Sequence, residues 1–187
     1  MIAKVVFAGF VLLGACAAAT TDGFNIGSYL ADPPVSSPLA TEGMLLDSYG
    51  PGCVKSDLRP AGLPIVEHHV YFDQASKNWV DASVLVAGPE ARHVVGVTVT
   101  SIPLCADKKA LRRPLGTTTS RGVALGEEVN SAKAKLGTPL RTAVERLGSE
   151  DSLQVLEYFP VAENPSYSLR LHIAHDTVVG ISTFFSE

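Results

Sequence analysis

VVGV (Val94–Val97) and VVGI (Val178–Ile181) lie 84 residues apart in this chain and are near copies of each other. Two further matches fall in the same order: Gly50 with Gly137, and Tyr71-Phe72 with Tyr158-Phe159, each 87 residues apart. A three-residue insertion in the first copy reconciles the two offsets. Three ordered matches at a near-constant spacing indicate an internal duplication. Each copy then runs as a helix ending at glycine, a variable stretch, an aromatic strand, an apolar strand, a turn and the VVG strand.

Local patterns agree with that division. Gly126 to Leu136 (GEEVNSAKAKL) is rich in helix formers, with Glu127 and Glu128 near the positive end and Lys133 and Lys135 near the negative end. Gly137 is the expected C-terminal cap, and Pro139 blocks resumption of the helix. Leu39 to Tyr49, before Gly50-Pro51-Gly52, repeats the arrangement. The VVG segments alternate: Val95, Val97 and Val99 share one face, as do Val179, Ile181 and Thr183, with smaller residues opposite. The expected fold class is therefore α+β, an antiparallel sheet with helices on one face.

The N-terminus has one basic residue, Lys4, then an apolar run from Val5 to Ala15 that is too short to span a bilayer and has the layout of an export signal. Leu13-Gly14-Ala15-Cys16 resembles a bacterial lipobox, which makes 1–15 a lipoprotein signal peptide and Cys16 the lipidated residue. Cleavage by ordinary signal peptidase after Ala17 or Ala19 is the alternative. No aspartate follows Cys16, so the resemblance favours the outer membrane over inner-membrane retention. With Cys16 lipidated, Cys53 and Cys105 remain as an even pair, expected to be bridged in an oxidising compartment. The bridge would add on the order of 4 kcal/mol on the chain-entropy model; two buried free thiols are the alternative.

Residues 16–37, small, polar and proline-bearing, read as a flexible tether. The first repeat is assigned to 38–115 and the second to 116–187. Loss of Lys4 takes the formal charge from −4 to −5 without any basic run, which argues against nucleic-acid binding.

In the second copy, Gly126 and Leu136-Gly137-Thr138-Pro139-Leu140, followed by Tyr158-Phe159, Leu169-x-Leu171-x-Ile173 and Val178-Val179-x-Ile181, resemble the helix, LGTP turn and strands of the SmpA/OmlA (BamE-like) outer-membrane lipoproteins. The β-lactamase-inhibitor-protein-like fold, two such units in tandem, is similar in layout. The match covers Gly122 to Glu187 and, less clearly, the first copy. It departs from the family where Gly126-Glu127-Glu128 replaces Gly-Met-Thr and where His175-Asp176-Thr177 forms the hairpin turn. The resemblance implies two tandem helix-plus-sheet units and a non-enzymatic protein-binding or envelope-assembly role.

Side-chain chemistry points the same way. The five histidines (His68, His69, His93, His172, His175) have no HExxH spacing and no CxxC beside them. At the offset of 84, His172 and His175 align with Gly88 and Ala91, so a metal site common to both copies is ruled out. No GxSxG elbow, SxxK or P-loop is present: GTTTSRG (Gly116–Gly122) lacks the GK[ST] ending. Glu127-Glu128 and Glu150-Asp151 are explained by a helix start and a solvated loop. No catalytic residue, metal or cofactor is assigned. His68 and His69 must split across two sheet faces, and so must each adjacent aromatic pair, Phe184-Phe185 included. Tyr71, Tyr158 and Phe184 are the candidate contact residues on an open face.

The leading expectation is a cell-envelope lipoprotein, facing the periplasm, that binds an envelope protein or cell-wall component. A soluble periplasmic or secreted inhibitor is the second reading, and a metal-dependent enzyme the third.

Overall fold

A computed structural model describes residues 24–31, 39–57, 65–88, 90–113, 115, 119, 121–158 and 167–185. The VVG segments become β4 (Arg92–Thr100) and β8 (Thr177–Phe185), which pair antiparallel with each other. On one side of them lie β3 (Asn78–Val86), β2 (Ile65–Asp73) and the short β1 (Cys53–Ser56). On the other lie β7 (Tyr167–Ala174), β6 (Glu150–Tyr158) and β5 (Arg141–Leu147). The result is one eight-stranded sheet in the order β1-β2-β3-β4-β8-β7-β6-β5, antiparallel throughout.

This corrects the expected α+β class of two tandem helix-plus-sheet units with helices layered on one face. The strands of both copies join one continuous sheet around one main core. Among the described residues the helices are short: α1 (Ser28–Ala31), α2 (Glu42–Tyr49) and α3 (Val129–Leu136). Two eight-residue helices contribute only a few buried side chains each, Leu45 and Tyr49 from α2 and Val129 and Ala132 from α3. The physical reason is the β4–β8 pairing, which satisfies strand edges that two separate units would leave open.

The duplication survives as symmetry inside the sheet. Thr98 pairs with Ser182, its own counterpart 84 residues on, and Val97↔Thr183 mirrors Val99↔Ile181. The Val94 N–H donates to the Ala40 carbonyl, and the Val178 N–H donates to the Glu127 carbonyl, both at 2.8 Å. Each hairpin also has a bulge beside its valines, with Val84 opposite Val94 but Ser83 opposite Gly96, and Ile173 opposite Val178 but His172 opposite Gly180. A bulge inserts one unpaired residue and resets the alternation. Val94, Val97 and Val99 therefore join the core, as do Val178 and Ile181, whereas unbroken alternation assigned Val95 and Val179 to that face.

The helix ends were expected correctly at their C-termini. Gly50 (φ 78°) and Gly137 (φ 87°) adopt the left-handed region, and their N–H groups donate to Leu46 and Lys133 carbonyls. Both helices begin three residues later than the composition suggested. Thr41 caps α2 by accepting from the Met44 N–H, and Glu128 occupies the N-cap position of α3. Of the expected tether, residues 24–31 are described, and there Phe24, Ile26, Tyr29 and Leu30 are buried in the core rather than free. Tyrosine hydroxyls fix that segment: Tyr49 accepts from the Ile26 N–H, and Tyr29 donates to the Val94 carbonyl.

Cys53 and Cys105 form the expected disulfide, 52 residues apart. It ties the first edge strand to the loop that follows β4. In that loop Leu104 packs with Val70, Trp79 and Leu147 on the sheet face opposite the main core.

Gly96 has a steric reason. A Cβ there would meet Phe184 Cδ1 at 2.6 Å and the Thr183 carbonyl at 2.8 Å. Gly96→Ala is expected to cost roughly 1–3 kcal/mol through overpacking. Gly88→Ala, with nothing within 4 Å, is expected to stay within about 0.5 kcal/mol. Urea unfolding of the two variants decides the matter, and equal midpoints would remove the steric account of the motif.

Candidate functional site

Two groups of polar side chains stand out, one on each face of the sheet. On the core side, at the start of α2, Glu42 receives Nε and Nη2 of Arg92, and Arg92 Nη2 also reaches Glu67. His69 is 3% exposed, with Nε2 2.9 Å from Glu42 Oε1. That contact lacks hydrogen-bond geometry, so neither ring nitrogen has a hydrogen-bond partner. The Arg92 hydrogen bonds are the largest influence on Glu42 and hold its carboxyl below the usual range. Ligand atoms of Glu42, Glu67 and His69 lie within 4.8 Å of one another, a spacing compatible with a cation. The guanidinium already compensates both carboxylates, however, and an entering cation would have to break those charge-assisted bonds. The cluster is better explained as a structural ion-pair network.

The opposite face carries registered rows. One runs Val70, Asp81, Thr98, Ser182, Arg170, Glu157. Beside it are His68, Ser83, Gly96, Phe184 and Ser168, and on its other side Trp79, Thr100, Gly180, His172 and Val155. His68 Nδ1 is 2.7 Å from Asp81 Oδ2, and its Nε2 is 3.4 Å from Asp57 Oδ2. The hydrogen bond to Asp81, reinforced by both aspartate charges against a burial penalty, raises the His68 pKa to about 9. His172 is the reverse case. Burial, helped by the Arg170 charge, lowers it to about 4, and its Nε2 lies 2.7 Å from Ser182 Oγ.

Neither histidine forms a hydrolytic triad. Ser83 Oγ approaches His68 at 3.4 Å on Nδ1, the nitrogen already held by Asp81, whereas nucleophile and acid must occupy opposite nitrogens. Ser182 is 1% exposed, and no acid meets His172 Nδ1, which has no hydrogen-bond partner. A serine so placed has no route to a substrate carbonyl.

The expected site residues separate in the structure. Tyr71 and Tyr158 are buried in the main core, with the Tyr71 hydroxyl donating to the Gly50 carbonyl at 3.0 Å. They are therefore not open-face contacts, because the strand register turns Phe72 outward in place of Tyr71. Phe184 does lie on the far face, half-buried, with the Arg170 guanidinium 5.4 Å from its ring centre. Gly137 caps α3 and Pro139 follows it. Cys16, the apolar run before it and Phe159 lie outside the described residues. His172 and His175 are not brought together: His172 is buried, and His175 sits exposed in the hairpin turn at φ 49°.

The alignment of His172 with Gly88 is also corrected. The matching bulges equate His172 with Ser83, because the first hairpin is five residues longer. His68 and His69 do split across the two faces, and both are engaged by carboxylates. Their partners Asp57, Asp81 and Glu42 lie too far away in sequence for spacing to have revealed them. No protein-family model, curated protein or solved structure matches this chain.

The two shifted histidines give stability a dome-shaped pH dependence. His68 titrates higher in the folded state than its ordinary 6.5, so its contribution is complete below about pH 6.5 and is lost toward pH 9. His172 titrates lower, so its contribution is complete above about pH 6.5 and is lost toward pH 4. Each is worth on the order of 2–3 kcal/mol. Urea unfolding from pH 5 to 9.5 should peak near 6.5. Asp81→Asn should flatten the alkaline limb and His172→Gln the acid limb between 6.5 and 5. Unchanged slopes in both variants would contradict the assignment.

Proposed function

We propose that the protein is a non-catalytic binding module of the bacterial cell envelope. It is held to the outer membrane by lipid on Cys16, faces the periplasm and engages another envelope protein through the sheet face that carries Phe184 and Arg170. The observation that carries this reading is the cation–aromatic pair of Arg170 and Phe184, part-exposed among polar groups that are already paired with one another. Arginine and aromatic side chains are the residues most often found at binding hot spots. A second cation–aromatic pair, Lys108 over Phe72 at 4.6 Å, lies on the same face beside Trp79. The Cys53–Cys105 disulfide agrees with an oxidising compartment. The likeness of LGTP (Leu136–Pro139) and its flanking strands to the SmpA/OmlA lipoproteins agrees with an envelope role.

Two measurements test the proposal. A photo-crosslinking side chain placed at position 184 of the full chain should capture one discrete envelope protein, and the same probe at Gly88 should not. Arg170→Ala should weaken that capture about tenfold, as expected for loss of a hot-spot residue. Labelled palmitate should enter the wild type and not Cys16→Ser. Label that survives the substitution would overturn the anchor and leave the soluble periplasmic or secreted inhibitor. Equal capture at positions 184 and 88 would overturn the binding face.

A further inference from the structure

β5 is the last strand of the sheet, and one side of its backbone ladder has no strand partner among the described residues. Such an edge is a template for another strand unless it is short, covered or charged against pairing. The opposite edge is managed: β1 has four residues and is bound by the disulfide to the loop after β4. β5 has seven residues and no such tie. It also carries the two most exposed large apolar side chains among the described residues, Val144 at 69% and, just before its first residue, Leu140 at 68%.

We infer that β5 is the interface for a second copy of this chain, pairing antiparallel with its own β5 about Ala143 to continue the sheet across a twofold axis. The sequence Arg141-Thr142-Ala143-Val144-Glu145 carries this inference. A twofold axis normal to the sheet keeps each face continuous only if one residue lies opposite itself, because side chains alternate with period two. The candidate centres are Thr142, Ala143 and Val144. Centring on Thr142 sets Arg141 against alanine, and centring on Val144 sets Arg141 against Leu147. Only Ala143 places Arg141 opposite Glu145 of the second copy, twice over by symmetry. Arg141 is exposed, and its guanidinium forms no hydrogen bond or ion pair among the described residues. Glu145 is only loosely engaged, 3.5 Å from Arg170. On the other face this register sets Val144 opposite Thr142 and diagonal to the second copy's Val144 and Leu140. The exposed apolar side chains of both copies then adjoin.

The test uses the full chain, purified in mild detergent so that neither the apolar N-terminal run nor a lipid on Cys16 drives association, and followed by sedimentation velocity. The wild type should show a concentration-dependent monomer–dimer equilibrium. Arg141→Glu and Glu145→Arg should each raise the dimer dissociation constant at least tenfold, because each places like charges opposite one another. An equal mixture of the two variants should associate again, since the carboxylate introduced at position 141 of one chain then meets the guanidinium introduced at position 145 of the other. That recovery also distinguishes a lost interface from a misfolded variant. Ala143→Cys should give a disulfide-linked dimer, because it alone lies opposite itself. A wild type that is monomeric at every concentration, or dimers indifferent to both reversals, or a mixture that stays monomeric would overturn the inference. Self-association is read on the purified chain without any envelope partner, so this interface and the proposed binding face stand or fall separately.

Discussion

The rest of the fold depends on the pairing of β4 with β8. Among the described residues it is the only ladder that joins the two copies. At its centre the Thr98 and Ser182 hydroxyls lie 2.8 Å apart, 3% and 1% exposed. A buried hydroxyl without a partner would cost about 1–3 kcal/mol, so two hydroxyls facing each other across the axis are a stable solution. They also orient a third group. His172 Nε2 meets the same Ser182 oxygen, while its Nδ1 has no partner. A bare acceptor nitrogen is easier to bury than an unsatisfied N–H. The favoured tautomer therefore puts the proton on Nε2, which donates to Ser182, and Ser182 donates to Thr98. The hydrogen bonds then run in one direction through the symmetry axis, and burial keeps the imidazole neutral.

The repeated VVG motif has a geometric meaning. In both copies the second valine is the extra residue of a bulge, and the glycine after it leaves room for a side chain from elsewhere. Phe184 fills the space over Gly96, and Leu147 with His172 lies over Gly180. A bulge changes which face each later residue occupies, so the cost of misplacing it is a whole strand turned over. This explains why the repeat itself was legible in the sequence while the faces were not. Offsets of 87, 89 and 84 apply to different strand pairs, and each bulge or longer hairpin alters the correspondence. Tyr71 and Tyr158 were correctly paired as equivalents, and both were assigned to the wrong face.

Other elements were legible to the degree that one residue dictates them. Gly50 and Gly137 end helices because the backbone turns left-handed there, and of three cysteines Cys53 and Cys105 are the two that lie beyond the apolar N-terminal segment. β1 and β5 were missed because edge strands are selected to look unlike strands, with Lys55 in one and Arg141, Glu145 and Arg146 in the other. The segment from Phe24 to Leu30 was missed because its small polar neighbours dominate the composition, while four apolar side chains decide its burial. For the polar groups, adjacency of His68 and His69 determined that they face opposite ways. Their partners come from other strands and from α2, and only the assembled sheet brings those together.

The two faces handle buried charge differently, and the difference decides which polar groups are left uncommitted. On the core side Arg92 bridges Glu42 and Glu67 at the mouth of α2, and removing the guanidinium would leave two part-buried carboxylates facing each other. That network is committed to structure. On the far face the His68–Asp81 pair and the Thr98–Ser182–His172 row are also internally satisfied, apart from Asp81 Oδ1 and His172 Nδ1. Arg170 is the exception in kind. Its guanidinium is shared between Glu157 and Glu145 while one surface lies over the Phe184 ring. With more donors than these acceptors consume, and a side chain that remains part-exposed, it keeps hydrogen-bonding capacity directed outward. The uncommitted polar capacity of this face therefore lies with the guanidinium beside its ring rather than with the buried imidazoles.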